Sequence, residues 1–104
     1  MTDEPLDLAA FCMEVAADLD DISTVSEGGT TTFQRDTAAF ARASEAQLDV
    51  RLPADIAEAA LRTPDTATTD ERGWIRFTPA DAERHVTDRA EAWFRTGWRH
   101  AGGK

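Results

Sequence analysis

Between Gln47 and Arg62 the apolar residues change period. Leu48, Val50 and Leu52 alternate with Asp49 and Arg51, and beyond Pro53 the spacing becomes that of Ile56, Ala57, Ala60 and Leu61. A period of two belongs to a strand with one buried and one wet face, and a period near 3.6 to an amphipathic helix. Pro53 divides the two, because its φ suits a first helical turn and it has no N–H to give to a strand ladder. Asp55 and Glu58 follow near the positive end of the helix dipole. A strand feeding directly into a helix places this junction at the centre of a small α+β domain. Leu48, Val50 and Leu52 belong to the core, while Asp49 and Arg51 look outward.

Upstream, Leu8, Cys12, Val15, Leu19 and Ile22 recur at spacings of four and three. This stripe predicts an amphipathic helix from about Leu6 to Asp21, with Asp3, Glu4 and Asp7 at its favourable end. Ser26-Glu27-Gly28-Gly29 signals a turn, since paired glycines permit positive φ. Thr30-Thr31-Thr32-Phe33-Gln34-Arg35 is β-branched and aromatic, and Asp36-Thr37 turns it back into Ala38–Ala43, which predicts a hairpin.

Downstream, Thr63-Pro64-Asp65 ends the second helix, Thr66–Thr69 fits a short edge strand, and Gly73 closes a polar turn. Trp74–Thr78 predicts a second marked strand, with Ile75 and Phe77 inward and Trp74 and Arg76 outward. Thr78, Pro79 and Asp81 specify a helix start. The stripe Ala82, Val86, Ala90, Trp93 and Gly97, widened by Phe94 and Trp98, carries that helix to about Arg99, with Glu91 and Arg95 as an i,i+4 pair. Together these elements predict one α+β domain over residues 1–104, with flexible ends at 1–4 and 101–104. It has two layers, an antiparallel sheet of about four to five strands with helices on one face, in the order α-β-β-β-α-(β)-β-α.

Composition narrows the function. Twenty acidic residues against eleven basic ones give a formal charge of −9, and every basic residue except Lys104 is arginine. An acidic chain almost without lysine resembles the proteins of salt-loving archaea and other high-GC organisms, and such a surface holds water and cations when salt screens charge repulsion. Such a charge opposes nucleic-acid phosphates, so no nucleic-acid partner is expected. A lone cysteine, Cys12, forms no internal disulfide and fits a reducing cytoplasm. No apolar run reaches the ~18 residues of a membrane span, so no membrane partner is expected.

The chemistry-bearing residues are sparse. His85 and His100 are about 22 Å apart along one helix and do not share a centre. There is no paired-cysteine or histidine spacing for zinc, no glycine loop opening a helix, and no nucleophile elbow, so neither catalysis nor a cofactor is expected. Two constellations remain. Arg51, Trp74 and Arg76, with Arg35 or Arg42 nearby, would share the outward sheet face and suit a small anionic ligand or an acidic surface. The competing reading is cross-strand pairing of these arginines with acids such as Asp49. Glu14, Asp18 and Asp21, at spacings of four and three on the first helix, would line up for a divalent cation. Their competing reading is a solvated acidic face.

The order of elements also carries a resemblance. Leu48-Asp49-Val50-Arg51-Leu52-Pro53, then a small helix, Gly73-Trp74-Ile75-Arg76-Phe77 and an aromatic-bearing closing helix resemble the "luciferase domain" family of archaea and actinobacteria over about residues 28–98. More distantly the order is similar to the MmcQ/YjbR-like domains, whose fold resembles that of frataxin. The resemblance implies a sheet covered on one side by helices. The frataxin-like comparison implies iron or another divalent cation along Glu14, Asp18 and Asp21. Where members of the first family often carry histidine, this chain has Ala41-Arg42-Ala43. The expected function is a cytoplasmic binding or interaction module without enzymatic activity, forming a homodimer through aromatic surface near the last helix. The alternatives are an enzyme or anion-binding protein using Arg51, Trp74 and Arg76, and a cation-binding protein.

Overall fold

Asp7 caps the first helix by accepting a hydrogen bond from the backbone N–H of Ala10 at 3.1 Å. The computed structural model describes residues 7–79 and 84–102. In chain order these form α1 (Leu8–Ala16), β1 (Ile22–Glu27), β2 (Thr30–Arg35), β3 (Ala38–Ala43), β4 (Leu48–Arg51), α2 (Ala54–Ala60), β5 (Thr66–Thr68), β6 (Trp74–Phe77) and α3 (Arg84–Gly102). The strands make one antiparallel sheet ordered β1-β2-β3-β4-β6-β5. The α+β class is the expected one; the sheet has six strands rather than four or five.

The added strand is β1, and it comes at the expense of the first helix. Helix α1 ends at Ala16 instead of Asp21: the N–H groups of Asp18 and Leu19 bond back only three residues, to the carbonyls of Val15 and Ala16, and Asp21 then takes a left-handed φ of 61° before β1. Leu19 and Ile22 continue the helical spacing by coincidence; they reach the core from a turn and a strand. Strand β1 shows no alternation because almost all of it is exposed. Gly28 and Gly29, at φ 59° and 84°, form the two-residue turn that joins it to β2 with Glu27 opposite Thr30. The expected start of the first helix at Leu6 lies outside the described residues.

Register divides the sheet into two faces. On one, Thr24, Phe33, Ala41, Val50, Ile75 and Thr68 form a transverse row across all the strands, with Ser26, Thr31, Ala43, Leu48, Phe77 and Thr66 beside it. The central members of these rows pack with Leu8, Cys12 and Val15 of α1 and Val86, Ala90 and Phe94 of α3. A bulge in β3 adds Phe40 to that face: Phe33 opposes Ala41 and Gln34 opposes Ala39, leaving Phe40 as the extra residue. Phe40 and Ala41 are consecutive, yet both are completely buried. Phe94 meets Phe33 edge-on at 4.9 Å and Phe40 at 5.1 Å, so three rings close the centre.

Helix α2 joins the core through Ala57 and Ala60 alone; Ile56 and Leu61, expected on its inner stripe, are 36% and 37% exposed. Short residues at the contact and long ones outside indicate a helix packed closely beside β6. For α3, the predicted positions Asp81 and Ala82 lie outside the described residues. Its far end is longer than expected, since Ala101 and Gly102 are helical. No helix among the described residues is long and apolar enough to cross a membrane.

Candidate functional site

The opposite face of the sheet carries the chemistry. Val25, Thr32, Arg42, Asp49, Arg76 and Ala67 form its transverse row, and Arg51 opposes Trp74 two residues along. Strand alternation sends these side chains away from α1 and α3. Sequence alternation thus places Asp49, Arg51, Trp74 and Arg76 on one surface, and the register decides which of them meet.

Asp49 is the anchor. It opposes Arg76 on one side and Arg42 on the other, and it is buried although no described helix packs over this face. Arg76 donates from Nε and Nη2 to its two carboxylate oxygens at 3.0 and 3.1 Å, a two-pronged ion pair. Gln47 Nε2 adds a bond at 3.3 Å. The hydrogen bond and charge of Asp49 hold the Arg76 guanidinium above its usual range. The cross-strand pairing weighed for Arg76 is therefore formed.

Arg42 is held differently. It donates to Glu71 at 2.6 and 3.4 Å, and its guanidinium carbon lies 4.3 Å from the centre of the Trp74 ring. The hydrogen bond to Glu71 raises the Arg42 pKa, and the same bond lowers that of Glu71. Pinned by Glu71 and stacked on Trp74, the arginine shields the ring, which explains a buried tryptophan on a helix-free face. Glu71 was not legible as a partner, because its turn becomes a neighbour of β3 only when β6 and β4 pair. Arg51 is exposed and has no ion-pair partner among the described residues.

Arg35 lies on the other side of the sheet. Its Nη1 donates to the Trp98 carbonyl at 3.0 Å and its guanidinium carbon is 3.9 Å from the Trp98 ring centre, at the end of α3. Trp98 Nε1 in turn donates to the Asp20 carbonyl at 2.9 Å. A guanidinium at a helix C-terminus also complements the dipole there. Trp93 packs edge-on against Phe77 at 5.0 Å. Both tryptophans of α3 are thus engaged within the chain and half-buried.

Glu14, Asp18 and Asp21 are not aligned as one helical face, since α1 stops before Asp18 and Asp21 has turned into left-handed backbone. Asp18 is 4.0 Å from Arg95. No group of three metal-ligating side chains is found among the described residues. Cys12 is completely buried and burial pushes its thiol up to about 12. No family model matches the chain, and no curated protein or solved structure is found that matches it.

Proposed function

We propose that the chain is a non-enzymatic binding or interaction module of the cytoplasm of a salt-adapted cell, working through the helix-free side of its sheet. One observation carries this reading: the face has fixed side chains and no described helix packs over it. Asp49–Arg76 and Arg42–Glu71 hold charged groups in set positions, and Trp74 lies among them. Ion pairs fixed in this way serve recognition by geometry, as rigid positions for a partner surface. Chemical-shift perturbation tests it. Added acidic peptide or citrate should move amides of β3, β4 and β6 and leave those of α1 unmoved. A spectrum unchanged by both overturns the reading.

A second reading, binding of a small anion, is favoured by Arg51, an exposed guanidinium without an ion-pair partner among the described residues and opposite Trp74. Citrate or phosphate should then shift the indole N–H of Trp74 saturably, and Arg51→Ala should abolish the shift. Unaltered titration in Arg51→Ala removes this reading.

A further inference from the structure

The two edges of the sheet differ. Strand β5 spans three residues directly after Pro64 and Asp65, an edge kept too short to template another strand. Strand β1 spans six residues and pairs with β2 along its whole length without a bulge. It contains neither proline nor lysine, and its one charge, Glu27, is at its end. No described residue pairs with its free side. Val25 is the most exposed large apolar side chain among the described residues, at 55%. The devices that usually blunt an edge are absent here.

We infer that β1 is a self-association surface, pairing antiparallel with β1 of a second copy so that the sheet continues through a two-fold axis. This deepens the interaction-module reading and rests on it. The backbone supports the pairing. The two-residue turn is closed by the hydrogen-bonded pair Glu27 and Thr30, so Val25 and Ser23 also bond toward β2. Ile22, Thr24 and Ser26 therefore turn their N–H and C=O groups to the free edge.

The side chains select the register. A two-fold axis normal to the sheet passes through either Thr24 or Val25 if most of the strand is to overlap. With Thr24 on the axis, Glu27 faces Asp21 of the second copy, acid against acid, which is destabilising. With Val25 on the axis, Glu27 faces Ser23 of the second copy, whose hydroxyl is a donor to the carboxylate. Val25 then meets its own copy in a closely spaced, non-hydrogen-bonded pair, while Thr24 and Ser26 exchange backbone bonds on either side. The strand is complementary to itself in this register, and that identifies the occupant as a second copy. Each copy carries a charge of −9, so salt strengthens the pairing.

Sedimentation and light scattering across concentration and salt test the inference. The chain should reach dimeric mass, and more readily as salt rises. Thr24→Pro removes an edge-facing N–H at a position where an edge strand tolerates proline, and Val25→Glu sets like charges on the axis. Each should weaken association about tenfold or more while leaving the circular dichroism unchanged. Val25→Cys should cross-link to itself under mild oxidation, with Cys12 buried, and Ser23→Cys should not. Dimers that persist in both Thr24→Pro and Val25→Glu overturn the β1 surface and leave the interaction-module reading standing. A monomer at every concentration and salt also overturns the β1 surface, and the titration of the helix-free face then decides the broader reading separately.

Discussion

Gly97 shows how one missing methyl sets the distance between layers. A Cβ there would come within 2.8 Å of Val50 Cγ2, 3.1 Å of the Arg51 carbonyl oxygen and 3.3 Å of Phe40 Cδ2. Alanine in a helix interior is favoured over glycine by about 1 kcal/mol, and overpacking a core costs about 1–3 kcal/mol. Gly97→Ala should therefore lower the urea midpoint, a net loss on the order of 1 kcal/mol, against the helix-propensity trend. Cys12 gives a second residue-scale prediction. Its folded pKa of about 12 lies above the ordinary 9.0, so its contribution is fully present below pH 9.0 and lost as pH rises toward 12. Thiol reagents should label Cys12 only after unfolding, and rapid labelling of the native chain would contradict its burial.

At the scale of elements, α3 is held to the sheet through Phe94. Its contacts with Phe33 and Phe40 join β2, the bulge of β3 and the helix in one ring cluster. Phe94→Ala should destabilise by about 3–5 kcal/mol, a loss large enough to leave a small domain barely folded. A reduced urea midpoint with retained strand signal would be the first sign. The end of the same helix is fastened by Arg35 and Trp98. Trp98→Phe keeps the stacked ring and removes the bond to Asp20, so hydrogen exchange should quicken in the turn before β1 and stay unchanged in β4.

For the whole molecule, charge governs the response to conditions. A net charge of −9 makes folding and association both oppose self-repulsion, and the melting temperature should rise with added salt until screening is complete. Acid acts in the other direction on one pair. The folded pKa of Glu71 is depressed by its bond to Arg42, so the pair's contribution is present above the unfolded pKa and lost as pH falls through the folded one. Glu71→Gln should flatten that part of the acid limb. It should also expose Trp74, visible as a red shift of its emission at neutral pH.

The sequence by itself determined the inner and outer sides of β4 and β6, because alternating residues on a strand point to opposite faces whatever the strand pairs with. It also determined the hairpin of β2 and β3 and the helix break at Pro53, where turn chemistry and a missing N–H act locally. It did not determine β1: an edge strand exposed on both faces has no alternation to display, and the spacing of Leu19 and Ile22 imitates a helix. Nor did it determine that Phe40 is buried next to Ala41, since a bulge exists only relative to a partner strand. On the outer face, the placement of Arg51, Trp74 and Arg76 was legible. The choice of Asp49 for Arg76, Glu71 for Arg42 and the far side of the sheet for Arg35 was made by strand register and order, which are properties of the assembled sheet.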